Sequence, residues 1–241
     1  MELENPLVQW VRARVRAETL RHVRPGQTLL ELNAGTGLDS AFFAELGVLV
    51  TATDNAPGML EQLHQKQRPT LPLEVRALSY LELDALAPQQ FDHAFSNFGG
   101  LNCTDRLPDV LAGLSRRLKP GGTATLVIMP RIAPWDLVEV LRGRFGLAGR
   151  RLGKGPAMAT VEGVQFPCWY YPASTLRMPG CEVIGGMALS LLVPPPHHAA
   201  FAGRYPRATR ALERAEDRVC RLPGVRGWGD HYVITFRARD R

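Results

Sequence analysis

The chain has 241 residues, 45% of them hydrophobic and 22% charged, with a formal net charge of +6. Such a length holds one α/β domain with decorations and buries a large core. The absence of an apolar run of about eighteen residues argues against a membrane span. The start, Met1-Glu2-Leu3-Glu4-Asn5, lacks the basic and apolar parts of a signal peptide, and Cys103, Cys168, Cys181 and Cys220 show no C-x-x-C spacing. Both point to a reducing cytoplasm with free thiols.

Leu7 to Val23 carries Leu7, Val8, Val11, Val15 and Leu20 at near-helical spacing, and Pro25-Gly26 ends it. This predicts a helix over residues 1–24 packed ahead of the first strand, where it can close a pocket. Leu29-Leu30-Glu31-Leu32-Asn33-Ala34-Gly35-Thr36-Gly37 then reads as an apolar strand entering a small-residue loop, with a helix from Leu38 to Leu46. Glycines let a backbone turn sharply and approach a ligand closely. The helix behind them offers unpaired N–H groups to a negative group. A second apolar run, Val48 to Thr53, ends in Asp54, where a carboxylate can accept both hydroxyls of a ribose. Loop, helix and acid together describe a nucleotide-like cofactor on the first half of a doubly wound sheet.

The spacing narrows the cofactor. Starting the dinucleotide pattern G-x-G-x-x-G at Asn33 or at Gly35 puts Leu38 or Ser40 at its third glycine, so neither start fits. The chain reads E-x-N-x-G-x-G instead. Here it resembles the class I S-adenosylmethionine-dependent methyltransferases, whose first motif is (D/E)-x-G-x-G-x-G. Asn33 replaces the first glycine, and asparagine tolerates a left-handed backbone. The run from Val50 through Asp54-Asn55-Ala56-Pro57-Gly58-Met59 looks like the family's second strand, its ribose-binding acid and a helix opened by proline. Phe91 to Gly100 looks like the fourth strand and the loop over the methyl donor, and Leu118-Lys119-Pro120-Gly121-Gly122 like the turn into strand five, Thr123 to Met129. Ser79 with Tyr80 stands where many relatives carry an Asp for the adenine amine. His231 to Phe236 reads as a short last strand, antiparallel in the family.

The resemblance, carried by residues 25–130, implies a single Rossmann-like domain over 1–241. Its seven-stranded sheet would be mostly parallel with an antiparallel last strand and helices on both faces. It implies S-adenosylmethionine as cofactor and S-adenosylhomocysteine as product. Its implied cofactor site is Glu31, Asn33, Ala34, Gly35, Gly37, Asp54, Asn55, Met59, Ser79, Tyr80, Ser96 and Asn97. Two neighbouring activities fit less well. The three lysines, Lys66, Lys119 and Lys154, never follow a tyrosine by four, as a short-chain dehydrogenase requires. Ser96-Asn97-Phe98-Gly99 lacks the D-P-P-Y-like motif of enzymes that methylate base amino groups.

Beyond the minimal fold, Arg106 to Leu118 and Pro134 to Phe145 read as helices. Residues 146–180 are an insertion: Gly146, Gly149, Gly153, Gly155 and Pro156, then one strand from Val161 ending in Trp169-Tyr170-Tyr171. Long connections in compact domains are functional or disordered, and this one reads as an acceptor lid. Cys181 to Val193 supplies strand six, and Ala199 to Leu222 one arginine-faced helix. Residues 25–130 carry 7 basic and 11 acidic groups, so the positive excess lies at 131–154 and 199–241. The cluster Arg142, Arg144, Arg150, Arg151 and Lys154 reads as a solvated surface rather than a phosphate footprint, since no nucleic-acid-binding signature accompanies it.

Methyl transfer needs a general base only when the nucleophile arrives protonated. His197, His198 and His231 fall at the ligand edge of the sheet and are the candidates; His22, His64 and His93 have weaker claims. Phe98, Arg131, Trp169, Tyr170 and Tyr171 suggest a small apolar or aromatic acceptor. No His, Asp or Cys cluster has metal-ligand spacing. The alternatives are an RNA or protein methyltransferase using a basic lid, and a non-catalytic cofactor-binding protein.

Overall fold

The computed structural model describes residues 5–143, 149–151, 153, 155–161 and 163–240. Helix α1 (Pro6–Thr19) opens at a side-chain cap. The Asn5 carboxamide oxygen accepts from the N–H of Leu7 (3.0 Å) and Val8 (3.4 Å), and Pro6 sits where no N–H is needed. Leu7, Val11 and Val15 face inward. Buried Glu18, at the same helix's end, accepts a 2.5 Å hydrogen bond from Arg221 Nη2.

Strands and helices then alternate: β1 (Thr28–Glu31), α2 (Leu38–Glu45), β2 (Leu49–Asp54), α3 (Pro57–His64), β3 (Leu73–Ala77), β4 (Phe91–Ser96), α4 (Leu107–Arg117) and β5 (Leu118–Ile128). Two later strands, β8 (Cys181–Leu189) and β9 (His231–Ala238), complete a seven-stranded sheet of order β3-β2-β1-β4-β5-β9-β8. The five strands β3 to β5 are parallel; β9 runs antiparallel to both its neighbours. This is the Rossmann-like sheet expected of the sequence. Successive residues of a buried strand face opposite sides. So Leu30, Ala94, Leu126 and Tyr232 pack under α4, while Leu29, Val50, Phe95 and Val127 pack under α1 and α2. Phe43 of α2 meets Phe95 edge-on at 5.1 Å. The chain order reverses between β1 and β4, and the crevice beyond their carboxyl ends is where such sheets bind ligands.

Several expected boundaries move. β5 begins at Leu118, which pairs with Phe91, and its register shifts before Thr123 pairs with His93. The turn Lys119–Gly122, with Gly121 at φ +71°, is therefore a bulge within the strand rather than its entry. α5 (Pro134–Leu141) is shorter than expected, and Phe145 lies outside the described residues. The single strand expected after Val161 is a hairpin, β6 (Ala157–Val161) and β7 (Val164–Cys168), turning at Gly163 with φ +84°. β8 stops at Leu189 because Ser190 turns left-handed. Leu192 and Val193 then give their N–H groups to the Glu216 carboxylate, at 3.0 and 2.8 Å, instead of to a strand. The helix expected from Ala199 to Leu222 is two, α6 (Ala199–Arg204) and α7 (Pro206–Val219). Pro206 has no N–H to bond backward and forces Tyr205 out of helical geometry. His93 is buried with Nδ1 2.6 Å from Thr123 Oγ1, and burial pushes its pKa down to about 3, so it is a neutral core group. No described helix is long and apolar enough to cross a membrane. Gly146, Arg144 and Lys154 lie outside the described residues.

Candidate active site

The loop after β1 is built around three left-handed residues, each for a different reason. Asn33 has φ +47°, and its side chain bridges to the next strand: Ser96 Oγ donates to its Oδ1 at 2.8 Å, and its Nδ2 donates to the Asn97 carbonyl at 3.4 Å. A Cβ on Gly100 would meet that carboxamide at 2.2 Å, so Gly100 makes room for Asn33. Gly35 has φ +57°, and a Cβ there would meet nothing within 4 Å, so the open side of the loop lies at this position. Gly37 has φ +74°, and a Cβ there would strike Leu63 Cδ1 at 2.3 Å. Gly37 thus also serves the packing of α3 against the loop.

Asp54, at the end of β2, closes the loop from the side. One carboxylate oxygen accepts from Gly35 N–H and the other from Ala56 N–H, both at 2.9 Å. Carboxylate oxygens each accept more than one hydrogen bond, so the acid retains capacity toward the crevice. Tyr80 lies on the same side. Burial, then the neighbouring Cys103 and Asp54, push its phenol up to about 12. Ser79 Oγ accepts from Leu81 N–H at 3.2 Å, Asn55 is exposed, Met59 is half-buried in the first turn of α3, and Ala34 N–H donates to Thr53 O at 3.0 Å. An open glycine, a carboxylate and a polar Asn33–Ser96 pair suit a nucleoside carrying an amino-acid-like tail.

Glu31 is placed differently from the rest of the expected cofactor set. It is buried beneath the loop, where Ser40 Oγ donates to it at 2.5 Å. Arg12 Nη1 and Arg16 Nε go instead to Asp39, at 2.5 and 2.6 Å, and Asn97 Nδ2 joins them on Asp39 at 2.9 Å. Burial, then the charge of Asp39, raise the Glu31 carboxyl to about 8. A neutral acid favours the fold below the unfolded carboxyl pKa, and that stability is lost as pH rises through about 8. Glu31→Gln keeps the neutral shape without the titration. Thermal melting of the wild type should therefore fall relative to the variant between about pH 5 and pH 8. Parallel pH curves for the two proteins would show that Glu31 is ionised in the fold.

The far side of the crevice gathers the ends of β4, β5 and β9. Phe98 and Gly99 are left-handed, turning the chain back over the crevice. A Cβ on Gly99 would lie 3.2 Å from His231 Nε2 and 3.1 Å from Met129, so the imidazole faces this loop directly. His231 Nδ1 sits 3.0 Å from Asp230 Oδ2. Asp230 is held in turn by Arg151, whose Nη2 reaches its carboxylate at 2.7 Å and whose Nη1 reaches its carbonyl at 3.2 Å. Arg151 Nε also lies 3.1 Å from Asp136 Oδ2. Although burial opposes its ionisation, Asp230 is held well below the usual carboxylate range by His231, Arg151 and His197. An ionised Asp230 accepts the Nδ1 proton and leaves Nε2 as the acceptor.

The aromatic end of the inserted segment is strapped across the same loops. Trp169 N–H donates to Asn102 O at 2.8 Å, and Asn102 Nδ2 returns a bond to Trp169 O at 2.6 Å. Tyr171 N–H donates to Met129 O at 3.1 Å, its hydroxyl to Thr104 O, and its carbonyl accepts from Tyr232 Oη at 3.0 Å. Arg131, Trp169, Tyr170 and Tyr171 line one cavity of about 340 Å³. Phe98 is not part of it; its ring lies 4.6 Å from the Arg12 guanidinium, under α1. Of the three candidate histidines only His231 reaches the crevice loop. His198 pairs with Glu139 at 3.3 Å, and His197 stacks on His198 at 4.4 Å and is exposed.

Sequence pattern does not mark Asp230, Arg151, Asp39 or Arg12 as site residues. Asp230 beside His231 was the one local signal available. Arg151, expected on a solvated surface, is 5% exposed and ion-paired. Among the described residues no group of three or more His, Cys, Asp or Glu is arranged to hold a metal.

Comparison with known proteins agrees with the sheet. Residues 29–122 match a family model described as a methyltransferase domain. A malonyl-[acyl-carrier protein] O-methyltransferase of Serratia marcescens is 36% identical over 116 residues, covering 48% of this chain and 42% of that protein. The chain thus spans about half the length or less of the curated relatives it matches. The CcbJ methyltransferase of Streptomyces caelestis superposes with a TM-score of 0.60 at 20% identity, covering 94% of this chain and 89% of that one. The 1,6-didemethyltoxoflavin-N1-methyltransferase of Burkholderia thailandensis, solved with S-adenosylhomocysteine, gives 0.55 at 20% identity over 99% and 80%.

Proposed function

We propose that the chain is a class I S-adenosylmethionine-dependent methyltransferase, a reading supported by the methyltransferase-domain match over residues 29–122, and that it methylates a hydroxyl or other protonated heteroatom of a small apolar or aromatic acceptor. The bound cofactor supplies an electrophilic methyl on a good leaving group. Everything else falls to the chain. Asp54 and Tyr80 hold the nucleoside end beside Gly35, and Asn33 with Ser96 faces the tail. His231 Nε2 takes the acceptor's proton, and Asp230 keeps the ring in the tautomer that can do so. Trp169 to Tyr171 cover the loops after β4 and β5, supply apolar area, and keep water from the reacting atoms. With the glycines before it, residues 146–180 act as the acceptor lid.

The observation that carries this reading is the Asp230–His231 pair, with its outer nitrogen turned to the loop after β4. Fold alone does not assign a reaction; a nearly buried, charge-anchored imidazole at the ligand edge supports a site that moves a proton. The basic lid favours an RNA acceptor less, since Arg151 is spent on Asp136 and Asp230, and Arg142 contacts Glu139 at 3.3 Å.

Calorimetry is expected to show binding of S-adenosylmethionine and S-adenosylhomocysteine and none of NAD. Incubation with phenolic and hydroxylated acceptors should then release S-adenosylhomocysteine. Tight NAD binding with no response to S-adenosylhomocysteine would overturn the assignment. Cofactor binding without turnover on any acceptor class would favour a non-catalytic binding protein.

A further inference from the structure

A second groove opens on the α4 face of the sheet, at the end of β8 and β9. It encloses about 720 Å³, and Arg131 and Pro172 belong both to it and to the cavity under Trp169–Tyr171. Its walls include Ile132, Trp228, Tyr232 and Ile234, and no Asp or Glu among the described residues lines it. Three guanidiniums do: Arg131, Arg177 and Arg226. Among the described residues, the Arg177 side chain donates only to its neighbour's carbonyl, Leu176 O, at 2.8 Å. Among the described residues neither Arg131 nor Arg226 has a side-chain hydrogen bond or ion pair.

The groove exists because of glycines. A Cβ on Gly186 would point at Val233 O (3.0 Å) and Arg226 Cδ (4.0 Å), into the space between strand and guanidinium. A Cβ on Gly227 would strike the Ala173 Cβ at 2.7 Å, so that glycine lets the Trp228 loop close against Pro172–Ser174. The result is an apolar trough with a tryptophan wall and three arginines that no acid among the described residues neutralises.

We propose that this groove is an anion subsite. It takes the distal carboxylate, phosphate or sulfate of an amphipathic ligand whose apolar body lies along Trp228 and Tyr232 toward the 340 Å³ cavity. Guanidiniums recognise such oxyanions in a fork, and an apolar wall adds affinity for the body. Arg131 stands where the two spaces meet, so a single ligand can place its apolar body in the 340 Å³ cavity and its charge at Arg177 and Arg226. Calling that ligand the methyl acceptor rests on the proposed function; the anion subsite itself does not.

The test is a paired titration of the full chain with 1-anilinonaphthalene-8-sulfonate and its uncharged parent, N-phenyl-1-naphthylamine, read by quenching of tryptophan emission. The Arg177→Ala/Arg226→Ala variant should bind the sulfonate about ten- to a hundredfold more weakly and the neutral probe within about threefold of wild type. Added salt should weaken sulfonate binding in the wild type and less in the variant. Equal loss for both probes, or no loss for the sulfonate, would overturn the subsite. Gly186→Leu should weaken both probes by filling the trough, and unchanged binding there would place the probes elsewhere. Calorimetry of the arginine variant with S-adenosylhomocysteine keeps the two readings apart. Wild-type protein that fails to bind it counts against the methyltransferase assignment, while a change in sulfonate affinity alone bears on the groove.

Discussion

His231→Asn is expected to slow methyl transfer about 10²- to 10⁴-fold, the usual contribution of a positioned general base. Asparagine is chosen because it keeps a polar group within reach of Asp230 and fills part of the imidazole's space. His231 is nearly buried, 14% exposed at its side chain, and lies against Gly99 and Met129, so alanine would also leave a void. Affinity for S-adenosylhomocysteine should stay within about threefold, since Asn33, Gly35 and Asp54 lie at the ends of other strands. Asp230→Asn should act in the same direction, because it removes the charge that fixes the Nδ1 proton. The decisive comparison uses two acceptors. An acidic phenol that is already ionised at the assay pH needs no base, so the loss on His231→Asn should shrink toward unity. A basic phenol should show the full loss. Equal losses on both acceptors would mean that His231 shapes the pocket and moves no proton.

The second large effect is on the cofactor. Asp54→Ala should weaken S-adenosylmethionine by about ten- to a hundredfold or more, since hydrogen bonds to a charged group are worth roughly 1.5–3 kcal/mol each. Two losses combine. The carboxylate no longer receives the ribose hydroxyls, and it no longer holds the Gly35 and Ala56 N–H groups that it accepts at 2.9 Å. Asp54→Asn separates them, because one carboxamide oxygen can still take a backbone N–H while the charge is gone. Gly35→Val gives an independent reading. Its backbone is left-handed and the space at its Cβ is open, so a valine both strains the turn and fills the crevice. Isothermal titration on variants whose melting is intact measures all three. Unchanged affinity in a folded Asp54→Ala protein would show that the acid only closes the loop.

The first half of the chain was legible because its signals are local. A strand followed by E-x-N-x-G-x-G, then a strand ending in Asp54, specifies turn, helix start and acid within one crossover. Asn33 at φ +47° accounts for the missing glycine, and the structure adds what its side chain does there. The last third was less legible because its boundaries are set by partners far away. A proline inside an amphipathic run divided α6 from α7. A carboxylate on α7, Glu216, drew Leu192 and Val193 out of β8. The hairpin β6–β7 reads as one strand in the sequence because a single glycine, Gly163, marks its turn.

By itself, then, the sequence determined the order of the elements in the first half, the parallel sheet and the crevice at β1 and β4. Each follows from backbone rules that act within a few residues. Only the tertiary structure decided that Glu31 is buried, that Gly37 serves packing, and that of three histidines His231 is the one facing the loop. It alone brought Arg151, about eighty positions away in sequence, onto Asp230, and placed Arg177 and Arg226 around one groove. The reason is physical. A side chain's reach is a few ångströms, and which charges fall within that distance depends on how strands from both ends of the chain pair in the same sheet.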